Sequence, residues 1–372
     1  MRILHVITSL RTGGAERLVV DLAKQMQVMG DVVEILLFDG TETPLKAEAE
    51  SVGIPIHSLA KGWRAMRNPL LVFKLKRFLR NKTFDVIHTH NTACQLAVAA
   101  LGMPESLITT EHSTDNRRRK WKGYRKVDRW MYGRYGKVIC VSEESRKALS
   151  DWMGETSLSE KITVIPNGID VSKFTVACPA KVFEDQNGRI ILMVSAFRPG
   201  KDQLTVIRAM QFLPLEYMLF LAGGSETEAD RKCLKDCEQL VEELGLADRV
   251  RFLGIRSDVP QLLAGADAVV LSTAYEGMSL SMLEAMASGR PFLASDVSGV
   301  HNLVAGAGLL FPYGDDRQLA ALIRKVCENP ALAELVGEKC RAQALQFDVV
   351  QTAKRYNDTY KILLLQDESN YE

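Results

Sequence analysis

No stretch of this 372-residue chain approaches the roughly 18 uninterrupted apolar residues of a membrane-spanning helix. The opening "MRILHVITSLRTGG" holds an apolar run of strand length, too short for the core of a secretory signal with a small-residue cleavage site. There is no C-x-x-C. The seven cysteines (Cys94, Cys140, Cys178, Cys233, Cys237, Cys327, Cys340) are odd in number and scattered, and Cys233 and Cys237 have no histidine beside them. A disulfide framework and a cysteine-built metal site are thereby excluded, and a reduced, cytosolic protein with cysteines as small buried hydrophobes is expected. G-x-G-x-x-G is absent, and with it the dinucleotide fingerprint. No solenoid-length repeat, low-complexity segment or nucleic-acid motif is visible, so nucleic acid is not expected as a partner.

Net charge is also scarce, at +1, but the balance conceals an asymmetry. Residues 1–170 hold 26 Lys and Arg against 19 Asp and Glu, while residues 171–372 hold 21 against 27. Residues 61–140 alone hold 18 against 5, a basic face suited to something negatively charged.

What is present is alternation. "RILHVIT", "VVEILLF", "FDVIHTH", "SLITTEH", "KVICVS" and "ITVIPNG" are strand-like runs separated by helical periods, including helices from about Ala15, near 67–81 and from about Cys94. The pattern lapses over Asn167–Gly188 and restarts with "IILMVSAF", "MLFLAGG", "VRFLG", "AVVLST", "PFLAS" and "GLLF". Each series predicts βαβ units around a parallel sheet. The expected fold is α/β, with two doubly wound Rossmann-like domains facing a central cleft. The first spans 1–175 together with a C-terminal helix of about 348–372, too apolar on one face to hang free and expected to cross back to it. The second spans 186–347. Such domains bind ligands at the carboxyl ends of their strands, which directs attention to the residues just after each strand.

After the first strand, Gly13-Gly14 precedes a helix, where backbone can approach a ligand; a plain flexible connector reads equally well. "IHTHN" (His88, His90, Asn91) and "TEHS" (Glu111, His112, Ser113) are polar clusters ending successive strands, with no convincing third and fourth ligand for zinc. In the second half, "SAFRPGKD" sets Arg198 and Lys201 behind a strand, cations suited to a phosphate or diphosphate, although a solvated loop would look similar. "STAYEGMSLSMLEAMASGRP" sets Glu276 at a strand end and Glu284 one turn into a helix. Ser281 and Glu284 could form a capping box. Alternatively the helix amides and dipole receive an anion, Glu284 takes the vicinal hydroxyls of a ribose, and Glu276 faces the group beyond the diphosphate. A nucleoside diphosphate sugar fits between the two carboxylates.

These segments, with "GGAE", "VSEESRKAL", "VIPNGID" and "VRFLGIRSDVP", follow the order seen in the retaining glycosyltransferases of family 4, which have the two-domain GT-B fold, and the resemblance spans almost the whole chain. It implies that Arg198 and Lys201 hold the donor diphosphate, and that the base lies against the backbone near Ile255 and Arg256. It further implies that Glu284 binds ribose and that Gly277, Met278, Ser279 and Leu280 supply amides. Glu276 would meet the transferred sugar, as would His112 from the opposite domain, with Gly13 and Gly14 on the donor side and His88, His90 and Asn91 as acceptor-side candidates. Arg198 departs from the family pattern, lying three residues before the lysine where many members have five.

The chemistry implied is transfer from a nucleotide sugar, a UDP-sugar on base rates, without cofactor or metal. Fixed amides and cations neutralise the leaving diphosphate, and no Asp-x-Asp lies near these motifs. The acceptor expected is a glycan or lipid-linked glycan of cell-surface polysaccharide synthesis. A nucleotide-sugar epimerase of similar shape and a non-catalytic nucleotide-sugar-binding protein are the alternatives. Lys74, Lys76, Arg77 and Arg80 interleave with Leu71, Phe73, Leu75 and Phe78, and ten basic residues of 116–137 interleave with Trp121, Tyr124, Trp130 and Tyr132. This mixture predicts peripheral binding at an anionic inner membrane face, unless the apolar members merely face the core.

Overall fold

A computed structural model describes residues 1–11, 13–62, 70–102, 106–114, 116–154, 157–184 and 188–369. The chain divides into two compact units, residues 1–168 with 349–372 and residues 169–348.

The first unit is built on a parallel sheet of seven strands: β1 (Arg2–Ile7), β2 (Val32–Asp39), β3 (Ile56–Ala60), β4 (Val86–His90), β5 (Ser106–Glu111), β6 (Lys137–Cys140) and β7 (Ile162–Val164), in the order β3-β2-β1-β4-β5-β6-β7. β1, β4 and β5 are buried along nearly their whole length, because helices cover both faces of a doubly wound sheet. β3 escaped sequence reading: its "IHSLA" offers little apolar alternation, as befits an edge strand. The helix expected near 67–81 is described from Leu70 to Arg80, residues 67–69 lying outside the described segments.

The C-terminal helix Val349–Ser369 returns to this unit, packing on helix Gly14–Val28 and on β5. Asn357 donates to Asp31 at 2.6 Å, and Tyr356, Tyr360 and Leu363 are buried.

The second unit holds six parallel strands: β8 (Arg189–Val194), β9 (Tyr217–Ala222), β10 (Val250–Gly254), β11 (Ala268–Leu271), β12 (Phe292–Ser295) and β13 (Leu309–Phe311), ordered β10-β9-β8-β11-β12-β13. Its start falls at Ile169, earlier than the lapse in pattern suggests, because the connecting segment packs onto it. Ile169 N–H donates to the Phe347 carbonyl, Ala180 N–H to that of Gln261, and the Phe183 ring meets Phe220 edge-on.

Both sheets share one plan. Strand order reverses between β1 and β4 in the first and between β8 and β11 in the second, and such a switch point leaves a crevice at the strand ends. Of the seven cysteines, five are buried and all are unbridged.

Candidate active site

In the second unit, the segments leaving β8 and β11 are stitched together at the switch point. Lys201 and Thr273 form an antiparallel bridge, Ala274 N–H and Thr273 Oγ1 both donate to the Gly200 carbonyl (2.8 and 2.9 Å), and Asp202 N–H donates to that of Ser272. Gly200 is required: its φ is +95°, and a Cβ there would lie 2.8 Å from the Tyr275 ring. The outcome is an ion pair between Lys201 and Glu276, both largely withdrawn from solvent. Burial pulls the Lys201 ammonium down to about 7, and the Arg198 guanidinium pushes the same way, while the Glu276 carboxylate in contact opposes both. Arg198 itself is exposed.

Gly299 fixes the segment after β11 from behind. With φ +82°, its Cβ position lies 1.9 Å from the Glu276 carbonyl oxygen, so only glycine lets the two segments meet. The next helix, Leu280–Ala287, starts at Ser279 without a side-chain cap; Ser279 Oγ bonds Ser281 Oγ at 2.9 Å, and the capping box conceivable for Ser281 and Glu284 does not form. Gly277 to Leu280 thus lead into a helix start not capped by a side chain, and Glu284 is half-buried one turn on. Beyond β10, Ile255 is exposed over Gly224, and Arg256 is committed to a bidentate pair with Asp258 (2.8 and 2.6 Å), leaving backbone as what this turn can offer a ligand.

The first unit's switch point is of another kind. His5 of β1 is in register with His88 of β4, and His90, two residues on, points to the same face. His90 pairs in register with Thr110 of β5, two residues before His112. Four imidazoles therefore meet. His5 Nδ1 lies 3.0 Å from His90 Nε2, and His90 Nδ1 lies 3.1 Å from His112 Nε2. His88 is held by Thr110 Oγ1 at 2.8 Å and by Tyr360 of the C-terminal helix at 2.6 Å, its ring centroid 4.1 Å from that of His90.

Burial pulls His5 down to about 3 and His112 to about 4, with Glu111 opposing the latter, and it drives His88 and His90 well below the ordinary range. All four are neutral imidazoles near pH 7. His5, His88 and His90 have nitrogens within 4.8 Å of one another, the one such ion-sized group among the described residues. Both His88 nitrogens are already bonded, however, and two of the others bond each other.

His88 and His90, the acceptor-side candidates, are wholly buried, whereas His112, bonded to His90, is half-buried. Asn91 turns the chain into helix Thr92–Leu101 with φ +69°, the one non-glycine residue in that region among those described, and its side chain accepts from Thr8 N–H. Gly13 caps helix Gly14–Val28 in extended conformation, with the Glu16 carboxylate against it.

The opposite face of β4 and β5 carries buried charge. Glu111 accepts from Tyr132 and, at 2.7 Å, from Arg119; Asp128 accepts from Arg118 at 2.8 Å and from Trp152 Nε1 at 2.8 Å. Arg118 and Arg119 are therefore internal cations and no part of the basic surface. Sequence reasoning missed His5, Gly299 and Tyr360. For His5 a signal existed, one polar residue inside an otherwise apolar central strand.

Comparison with known proteins agrees with this anatomy. The sequence profile of Glycosyltransferase Family 4 matches residues 12–173, and that of Glycosyl transferases group 1 matches residues 177–343. The UDP-Gal:alpha-D-GlcNAc-diphosphoundecaprenol alpha-1,3-galactosyltransferase of Escherichia coli is 25% identical, with 82% of each chain covered. The phosphatidyl-myo-inositol mannosyltransferase of Mycobacterium tuberculosis is 26% identical over 94% of this chain and 93% of its own. Among solved structures, Anabaena Alr3699/HepE in complex with UDP and glucose superposes with a TM-score of 0.84 at 25% identity, covering 97% of this chain and 99% of that one. The chain belongs to the GT-B glycosyltransferases built from these two family domains.

Proposed function

We propose that this protein is a retaining, metal-independent glycosyltransferase that moves a sugar from a UDP-sugar to a lipid-linked or otherwise anionic glycan acceptor in cell-surface polysaccharide synthesis. The observation carrying this reading is the Lys201–Glu276 pair at the second unit's switch point, followed at once by a helix start without a side-chain cap. An incoming diphosphate would take Lys201 and the amides of Gly277 to Leu280, with Arg198 as a further cation. Released from Lys201, Glu276 would turn to the sugar, Glu284 would accept from the ribose hydroxyls, and the base would lie along the backbone at Ile255 and Arg256. His112 of the first unit would meet the sugar as a neutral imidazole.

The bond between the anomeric carbon and the β-phosphate oxygen breaks while the acceptor oxygen bonds to the same face. The acceptor's proton passes to the departing phosphate oxygen. Lys201 and the amides offset the charge that develops on the leaving group, the task a divalent ion would otherwise perform.

Two relatives named for lipid-linked substrates, a diphosphoundecaprenol and a phosphatidylinositol, favour an acceptor held in a membrane. No described helix is long and apolar enough to span one. Binding would be peripheral, at the cytoplasmic face, through the basic side of the first unit. There Phe73, Trp121, Tyr124 and Trp130 are exposed among Lys74, Lys76, Lys122 and Lys126, while Leu71, Leu75 and Tyr132 face the core. Helix Thr92–Leu101 packs against both helices involved, Leu70–Arg80 and Tyr124–Gly133. Trp63, Arg64 and Arg67 of the same basic stretch lie outside the described residues.

The test is transfer from UDP-sugars to a lipid-linked acceptor with and without EDTA, the product's anomeric configuration read by NMR. Activity lost on chelation and restored by magnesium or manganese would overturn the metal-free mechanism, and an inverted product the retaining one. Epimerised or unchanged donor in every incubation would overturn transfer itself.

A further inference from the structure

We infer that His5, buried in β1 and given no role above, sets the tautomer of His112 through His90, so that His112 meets its substrate as a hydrogen-bond donor from Nδ1. The inference rests on the proposed sugar-facing place of His112, and it adds to that place a direction and a residue two rings away.

The argument is a count of protons. Three neutral imidazoles joined by two hydrogen bonds, His5 Nδ1 to His90 Nε2 and His90 Nδ1 to His112 Nε2, carry three N–H groups. Two are consumed within the chain, and one spare N–H is left at one end with one spare lone pair at the other. His5 Nε2 is the dry end, buried and without a partner. His112 is the wetter end. A buried donor left unpaired is rarer and costlier than an acceptor left unfilled, so the spare N–H belongs at His112. His5 then donates from Nδ1 to His90, His90 donates from Nδ1 to His112 Nε2, and the proton of His112 lies on Nδ1.

His88 cannot reverse this, because both its nitrogens are held by Thr110 and Tyr360 while its ring packs on His90. The charged groups near the chain do not protonate it: Glu111 lies on the other face of β5, engaged by Tyr132 and Arg119. His112 is therefore held in the tautomer that a free neutral histidine adopts less often, and it offers a sugar hydroxyl or ring oxygen an N–H instead of a lone pair.

The chain has six histidines, so long-range proton–nitrogen correlation on the ligand-free, 15N-histidine-labelled protein resolves each ring, with His57 and His301 as internal references. At pH 7, His5, His90 and His112 should all show the Nδ1–H form. His5→Phe should move His112 to the Nε2–H form and lower kcat at least tenfold with little change in donor KM. His5→Asn, whose amide nitrogen stands where Nδ1 stood, should restore both the tautomer and most of kcat.

A wild-type His112 in the Nε2–H form would overturn the inference, as would a tautomer indifferent to His5→Phe. Stoichiometric metal bound by His5, His88 and His90 in the purified protein would also overturn it, since coordination would replace the His5–His90 bond. Should His5→Phe not fold, the wild-type spectrum and His5→Asn still decide. The spectrum is read without substrate. Expected tautomers beside a His112→Ala variant of full activity would therefore remove the sugar-facing role alone and leave the chain of rings standing.

Discussion

The two units fold to the same strand order and reverse it at equivalent places, yet they fill those places with opposite chemistry. The second unit presents charge at its switch point, with Lys201 against Glu276 and Arg198 exposed beside them. The first presents four imidazoles that burial keeps neutral, and the nearby Glu111–Arg119 and Asp128–Arg118 pairs are largely out of water, Glu111 facing away from the imidazoles. The difference is what the proposed division of labour would require of each half. A diphosphate calls for cations and free amides, whereas a sugar calls for directed, uncharged hydrogen bonds. The shared topology supplies the crevices, and the residues behind each strand decide what enters.

The sharpest way to break the contrast is to disturb the first unit's buried charge. Asp128 is fully buried and holds both Arg118 and Trp152. Asp128→Ala leaves the Arg118 guanidinium buried without its main partner, a change of the kind that costs about 3–5 kcal/mol. Denaturant unfolding should show that loss at an unchanged m-value, and calorimetry should find UDP affinity unaltered. A loss below about 1 kcal/mol would mean that water reaches the network.

Next is the charged pair itself. Lys201→Ala should lower kcat/KM by about 10²–10³, the magnitude of losing one fixed donor to a developing anion, and should weaken UDP binding as well. Glu276→Ala should match it in transfer but spare UDP, and Glu284→Ala should weaken UDP chiefly. Calorimetry with UDP on the three variants separates these roles, and equal losses in all three would remove the division of labour.

Legibility differed between the halves for the same physical reason. Glu276, Lys201 and Glu284 could be singled out as candidates from the chain because charged residues beside strand ends and a Gly/Ser-rich helix start are local signals, and the fold sets Lys201 against Glu276. The two domains were legible from alternation, and the returning helix from its apolar face. His5 was not, because its partners lie 85 residues on in His90 and, through that ring, at His112; only strand register reveals them. Arg118 and Arg119 misled for the opposite reason: in sequence they read as surface cations, whereas Asp128 and Glu111 draw them inside. The early start of the second unit at Ile169 likewise depends on contacts to Phe347 and Gln261 that no local pattern announces.

A smaller effect sharpens the contrast in protonation. Lys201 titrates near 7 in the ligand-free fold against an ordinary 10.5. The unfolded chain therefore binds the proton that the fold releases between these values, and stability should rise with pH across that window. Bound diphosphate favours the ammonium, so UDP binding at pH 8 should take up a fraction of a proton and weaken as pH rises from about 7 to 9. Calorimetry in two buffers of different ionisation enthalpy measures that uptake. In Glu276→Ala it should grow, because the carboxylate that helps retain the proton is gone, whereas His112, neutral down to about 4, should contribute nothing. Absence of uptake at pH 8 would place Lys201 fully charged throughout.

The mildest change, for the fold, concerns the outer side of the first unit. Phe73, Trp121 and Trp130 are 70%, 71% and 45% exposed, so replacing all three by Ser should shift stability little, within about 0.5 kcal/mol for each. The same replacement should weaken co-sedimentation with anionic vesicles, since rings at the interface and cations near it act together. Replacing Lys122 and Lys126 as well should remove about 1 kcal/mol of vesicle affinity per cation at low salt, and less at moderate salt as screening shortens the reach of charge. Neutral vesicles serve as the control, because rings alone should hold the protein only weakly there. UDP affinity should be untouched, since the proposed nucleotide contacts are residues of the other unit. If the wild type fails to sediment with anionic vesicles at low salt, the membrane reading ends. If the five-residue variant sediments as well as the wild type, the surface has been assigned to the wrong helices.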